Sequence, residues 1–166
     1  MKKAVIVYWL IPARPERELF RVLINILGKQ FKAPTFEPHL TLCFAKDRQS
    51  PAKLLRQLKA SPVRVEVREV DWSAKFTKTL FVRMKPNPTL ERLAAALNSI
   101  ALKDPHISLL YKKLPARIKQ ELAAAIKLPL RNIAFDSIKA VRCTSPMTTA
   151  AEVQSWRVIA TRRLLG

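Results

Sequence analysis

Glycine is almost missing from this chain, with two residues in 166. Loops that wrap the phosphates of ATP or of a dinucleotide need several glycines, because a Cβ would keep the backbone from the phosphate oxygens. Such loops are excluded here. Cysteine is equally scarce: Cys43 and Cys143 lie far apart with no Cys-x-x-Cys spacing, so the sequence carries no thiol zinc site and no dithiol redox motif. The histidines also number two, and with carboxylates scattered along the chain they supply no clustered ligand set, so neither a metal nor a cofactor is expected. Acidic residues number 12 against 31 Lys and Arg, a formal charge of +19. A field of that sign favours polyanions such as nucleotides or RNA.

Long apolar runs are missing too. The opening Met1-Lys2-Lys3 followed by Ala4 to Ile11 imitates the start of a signal peptide, yet it continues into Arg14, Glu16 and Arg17 without a small-residue cleavage site. It reads as a buried first strand. No other run approaches bilayer length, so the expectation is a monomeric cytoplasmic protein without a membrane partner. Hydrophobic residues make up 49% of the chain, enough to bury the core of one domain covering residues 1–166.

What the chain does have is a repeated phrase. Both histidines occur in it, as Pro38-His39-Leu40-Thr41-Leu42 and Pro105-His106-Ile107-Ser108-Leu109. On a strand, where alternate side chains share a face, each imidazole points the same way as the hydroxyl two residues on. Leu40, Leu42, Ile107 and Leu109 then point into a core. The likeness continues, since Cys43-Phe44 aligns with Leu110-Tyr111, and an internal duplication follows. Two imidazoles can serve as general acid and general base, and two hydroxyls can bind a phosphate between them. These residues suggest metal-free phosphoester chemistry, with His39, His106, Thr41 and Ser108 as catalytic candidates.

The repeated His-x-Thr/Ser-x phrase resembles the signature of the two-histidine (2H) phosphoesterases. Within them the chain is most similar to the cyclic phosphodiesterase branch of plants and fungi, on its short length, on Trp9 near the end of the first strand, and on Leu109-Leu110-Tyr111 closing the second phrase. The resemblance implies two lobes related by a pseudo-twofold axis, and hydrolysis of a ribose 2′,3′-cyclic phosphate to the 2′-phosphate. It implies a phosphate contact for Tyr111, although strict alternation would turn that ring to the core unless the strand bends. It also implies a place near the substrate base for Trp9, where stacking and burial in the lobe interior are both open. Trp72 and Phe76 are alternative stacking candidates. Lys75, Lys78, Lys112 and Lys113 could steer an anion. Cys43 falls on the face of His39 and Thr41 by alternation, and reads as a small buried neighbour.

The rest of the chain reads as an α+β protein. Strands are predicted over 4–10, 39–45, 63–67, 79–84, 106–111, 133–142 and 156–162. Helices are predicted over 16–29, from Ser50-Pro51 through Leu58, from Asn87-Pro88 through Leu97, and over 115–127. In the first of these Leu19, Val22, Leu23, Ile26 and Leu27 recur at helical spacing, with Gly28 near the end. Both halves run helix, histidine strand, helix, then further strands. That order predicts two pseudo-symmetric lobes, each an antiparallel sheet with helices on its outer side, enclosing a central cleft and crossing near 86–88. The expected ligand is a nucleoside 2′,3′-cyclic phosphate, an ADP-ribose cyclic phosphate or an RNA 3′ end. Two other functions remain open at this point: RNA 2′-5′ ligase or phosphodiesterase chemistry, and RNA binding without catalysis. The symmetric phrases do not separate base from acid; the assignment leans to His106 as base and His39 as acid.

Overall fold

A computed structural model describes residues 1–46 and 49–165. The chain is α+β, and its strands belong to one antiparallel sheet. The elements are β1 (Lys3–Pro12), α1 (Glu16–Phe31), β2 (Leu40–Phe44), α2 (Pro51–Gln57), β3 (Val63–Trp72), β4 (Leu80–Met84), α3 (Pro88–Ala96), β5 (His106–Leu110), α4 (Ala116–Ala125), β6 (Asn132–Ser145), α5 (Ala150–Gln154) and β7 (Arg157–Arg163), with a 3₁₀ turn at Phe76–Lys78 before β4.

The strand order is β1-β2-β5-β4-β3-β6-β7, and β1 also pairs with β6 along ten residues. Six strands therefore close on themselves, with β7 beside β6. Two halves are evident within this ring: β2, β1, β6 and β7 on one side, and β5, β4 and β3 on the other. They meet where β2 pairs with β5 and where β3 pairs with the start of β6. The predicted crossing at 86–88 is misplaced. Those residues join β4 to α3, and β4 pairs with β5, so both flanks lie in the same half. The chain passes between halves in the segment from β2 to β3 and returns in the segment from β5 to β6, because strand pairing, which decides membership, is set by contacts distant in sequence.

One core receives side chains from every strand of the ring, among them Tyr8, Leu10, Leu40, Leu42, Val65, Val82, Ile107, Leu109 and Phe135. The alternation that sends Leu40, Leu42, Ile107 and Leu109 inward thus holds. A smaller, separate apolar cluster joins Val7, Trp9 and Ile11 of β1 to Val141 of β6, and its Val7 and Trp9 reach the cleft.

Helix α1 buries only part of the stripe its spacing suggests, Leu27 fully and Leu23 in part, and adds Phe20 and Ile24 to it. Phe20, Ile24 and Leu27 are buried, while Leu19, Val22 and Ile26 stand 38%, 54% and 56% exposed. The helix carries two apolar stripes, and periodicity cannot choose between them. Gly28 lies near its end, as expected. The helix runs on to Phe31, and Lys32 closes it in the left-handed conformation with its N–H on the Gly28 carbonyl. The fit at 28 is tight: a Cβ there would come within 3.0 Å of Thr35 Cγ2 and 3.2 Å of the Ala33 carbonyl oxygen. The Asn87 side chain caps α3 by accepting from Thr89 N at 2.8 Å, as the Asn-Pro signal predicts. Short α5, and the extension of β3 to Trp72 and of β6 to Ser145, have no counterpart in the sequence reading.

The seam between the histidine strands is narrow, with Leu40 opposite Ile107. Ile107 is fully buried there. Ile107→Ala is expected to lower the free energy of unfolding by about 2–5 kcal/mol. Denaturant titration checks this, and a loss well under that range would show that the seam repacks.

Candidate active site

Each histidine is delivered by a strand start and oriented by the residue two places before it. His39 Nδ1 lies 2.7 Å from the Glu37 carbonyl oxygen, and His106 Nδ1 lies 2.8 Å from that of Asp104. A carbonyl only accepts, so in both rings Nδ1 carries the proton and donates it. The neutral ring therefore has a bare Nε2, which is the atom left to act. The antiparallel register that sets Leu40 opposite Ile107 also puts Ser108 across from His39 and His106 across from Thr41.

These four residues line one cavity of about 320 Å³. Lys75, Thr77, Lys78, Tyr111, Trp9 and Trp156 are also in its wall. Among the described residues, none of the lining side chains is acidic, so the cavity suits an anion. The hydroxyls of the two phrases are not equivalent. Ser108 is buried and donates its proton to the Thr77 carbonyl at 2.9 Å.

Both phrases contain a bulge at the same place. Between β1 and β2 the register passes from Tyr8↔Cys43 to Trp9↔Thr41, so Leu42 is the extra residue. Between β4 and β5 it passes from Leu80↔Leu110 to Phe81↔Ser108, so Leu109 is the extra one. A bulge reverses the alternation that follows it. Cys43 and Leu110 consequently enter the core, and Phe44 and Tyr111 return to the cavity wall. Cys43 is thus not on the face of His39, a correction to strict alternation. The bend that Tyr111 requires is this bulge.

The remaining candidates separate. Trp9 lines the cavity but is only 4% exposed, and it stacks on His39 with ring centroids 3.7 Å apart and planes at 14°. Its exposed surface is too small to stack a base; it covers the imidazole instead. Tyr111 is buried against Phe36 at 4.3 Å, and burial pushes its phenol pKa up. Phe76 stands behind Tyr111, stacked at 5.9 Å, and does not line the cavity. Trp72 is elsewhere, half-buried against the main core with the Lys119 ammonium 5.2 Å from its ring. Lys75 and Lys78 line the cavity, whereas Lys112 and Lys113 do not.

Trp156 is the residue the sequence reading placed only as a strand start. Its ring lies edge-on to Trp9 at 4.9 Å and to His39 at 5.5 Å, and its Nε1 donates to Met147 Sδ at 3.0 Å. Nothing local in the sequence marks it, since β7 reaches the site only through β6.

The two imidazoles differ in electrostatics. Burial drives the His39 pKa down to about 4, with the Glu37 carbonyl opposing and the proximity of His106 adding to the fall. His106 is also lowered from the ordinary 6.5, first by burial; the Asp104 carbonyl and carboxylate oppose, and Lys78 and Arg83 add to the lowering. Among the described residues no group of three or more His, Cys, Asp and Glu side chains converges as a metal cluster. None of their helices is long and apolar enough to cross a membrane.

A closed antiparallel sheet with paired His and hydroxyl side chains in one cavity, together with the family match that follows, places the chain among the 2H phosphoesterases. Residues 4–104 match the family model described as cyclic phosphodiesterase-like protein, and the chain belongs to that family. The match covers the first phrase and stops just before His106, so the second histidine is brought in by the fold. Escherichia coli LigT, solved with 3′-AMP, is similar over 98% of this chain and 99% of its own at 14% identity, with a TM-score of 0.56. TT0787 of Thermus thermophilus is similar over 98% of both chains at 19% identity, with a TM-score of 0.58. No curated protein matches the chain.

The stacked Trp9 ring covers one face of His39, whose pKa is lowered chiefly by burial. Trp9→Ala is therefore expected to raise the His39 pKa from about 4 towards 6.5. A two-histidine NMR titration reads this directly, and an unmoved His39 would assign the burial to Phe36 and Trp156.

Proposed function

We propose that the protein hydrolyses a ribose 2′,3′-cyclic phosphate, on a nucleotide or at an RNA 3′ end, to the 2′-phosphate, using side chains without a metal. The supporting observation is the pair of bare Nε2 atoms, each fixed by an Nδ1–H bond to a carbonyl, lining one cavity with Thr41 and Ser108. In-line displacement at phosphorus needs a base on the side of the attacking water and an acid on the side of the leaving oxygen.

The environments favour His39 as base and His106 as acid, the reverse of the assignment leaned to from sequence. With a pKa of about 4, His39 is unprotonated near neutrality and can take a proton from water. A proton shared by the pair resides on the less depressed ring, His106. As the water oxygen bonds to phosphorus, the bond to the ribose 3′ oxygen breaks and His106 donates its Nε2 proton to that oxygen. Thr41 donates to a non-bridging oxygen as charge builds, and Ser108 joins it by turning from the Thr77 carbonyl. Lys75 and Lys78 add positive field.

Size supports a nucleotide-scale ligand, since about 320 Å³ lies at the low end of small-molecule sites. The similarly folded LigT, solved with 3′-AMP and with ATP, agrees with a nucleotide ligand.

Turnover of 2′,3′-cyclic AMP and of a cyclic-phosphate-ended oligonucleotide is expected to fall by on the order of 10²–10⁴ in His39→Ala and in His106→Ala. EDTA should leave the wild type unchanged; activity lost to EDTA and restored by a divalent ion would overturn the metal-free mechanism. Tight RNA binding without turnover would mark a binder instead.

The pH dependence has a defined sign. Below the His39 pKa the base is protonated, and above the His106 pKa the acid is lost. A plot of kcat/KM is therefore expected to be bell-shaped with its rising limb near pH 4 and its falling limb below 6.5. A rising limb at or above 6.5 would contradict the base assignment.

A further inference from the structure

The internal repeat extends one step further than the histidine phrases. It begins with an acidic residue: Glu37-Pro38-His39 in one copy and Asp104-Pro105-His106 in the other. In both, the acidic residue's carbonyl is the acceptor for the histidine Nδ1–H. The proline explains why that carbonyl is well placed, because a residue before proline is confined to extended backbone. The side chain explains why it stays there. Glu37 receives Lys139 Nζ at 2.6 and 2.8 Å on its two carboxylate oxygens, with both side chains about three-quarters buried. Asp104 receives Arg83 Nε at 3.1 Å and pairs with Lys78 as well.

Neither cation is local. Lys139 is on β6, opposite Trp9 of β1, and reaches Glu37 from the strand that flanks the one covering His39. Arg83 is on β4, directly opposite His106. Each ion pair thus ties the segment entering a histidine strand to a strand of the sheet that is already fixed. Only a ring protonated at Nδ1 has a free Nε2 lone pair, and a carbonyl that could rotate away would let the ring place its proton on either nitrogen.

We propose that Glu37 with Lys139, and Asp104 with Arg83, are positioning residues: each ion pair holds the peptide carbonyl that sets the tautomer and direction of its catalytic imidazole. Glu37, Lys139 and Arg83 do not line the cavity, so they act through the histidines and not on the ligand. The inference rests on the acid–base reading of His39 and His106, and its test has a readout that does not depend on turnover.

The chain has two histidines, so long-range proton–nitrogen imidazole spectra contain two ring signatures. At mildly alkaline pH both wild-type rings are expected in the Nδ1–H form. In Glu37→Ala and in Lys139→Met, His39 is expected to become a mixture of tautomers while His106 stays Nδ1–H and reports the intact fold. With that shift, kcat on a 2′,3′-cyclic nucleotide should fall about tenfold with KM little changed. The charge swap Glu37→Lys with Lys139→Glu should restore both signals, which loss of packing alone would not allow. Should the alanine variant unfold, Glu37→Gln, which keeps the size and loses the charge, is expected to show the same His39 shift. His39 remaining Nδ1–H in Glu37→Gln and Lys139→Met, with kcat within about twofold of wild type, would overturn the proposal. A shifted His39 tautomer in a protein whose wild type turns over no cyclic phosphate would uphold the positioning role and overturn the proposed reaction.

Discussion

The antiparallel contact of β2 with β5, with Leu40 opposite Ile107, is the constraint from which the site follows. An antiparallel pair has a local twofold between its strands, so two copies of one phrase laid across it must present their side chains reciprocally. Each imidazole then stands across from the other strand's hydroxyl. The apolar residues of both phrases face one core, and their burial holds the register, because a slip of one residue would send every one of them into the cavity and both histidines into hydrocarbon. The bulges at Leu42 and Leu109 belong to the same symmetry. Each ends the polar alternation after one His and one hydroxyl and turns an aromatic ring, Phe44 or Tyr111, to the cavity wall.

Symmetry of the backbone does not carry over to electrostatics. His39 is sandwiched between Trp9 and the edge of Trp156, while His106 meets Phe81 edge-on at 5.3 Å and adjoins the Asp104, Lys78 and Arg83 charges. One face of His39 is therefore sealed by an apolar ring, and charging it costs more. The proposed acid–base division requires such an asymmetry, since two identical groups in one cavity can act as acid and base only if their surroundings pull their proton affinities apart.

Much of the site was legible because strand alternation is local. The phrase Pro-His-x-Thr/Ser-x needs only period two to put imidazole with hydroxyl and leucine with core, and the Asn87-Pro88 cap needs only its neighbour's N–H. The acidic residue preceding each proline was equally visible, and the recurrence of an acid there, Glu37 and Asp104, is the signal that could have found it. Trp72 shows the opposite case. It is an aromatic near a basic loop, attractive by composition, yet the turn at Phe76–Lys78 brings Lys75 and Lys78 to the cavity and leaves Trp72 beside Lys119. Helix α1 likewise has two apolar stripes, and its packing partner alone selects Phe20, Ile24 and Leu27.

By itself the sequence determined the chemical vocabulary: two imidazoles, two hydroxyls, no glycine-rich phosphate loop, no clustered metal ligands, and an excess of positive charge. It also determined the α+β class, because periodicity and caps act within a few residues. Tertiary structure alone decided that β1 closes onto β6, that Trp156 and Lys139 arrive from the far end of the chain, and that the bulges restore Phe44 and Tyr111 to the cavity. It also decided which histidine is the more deeply desolvated. Those outcomes depend on which strands pair and what then covers each ring, and burial is a property of neighbours distant along the chain, with no trace in the residues beside the histidines.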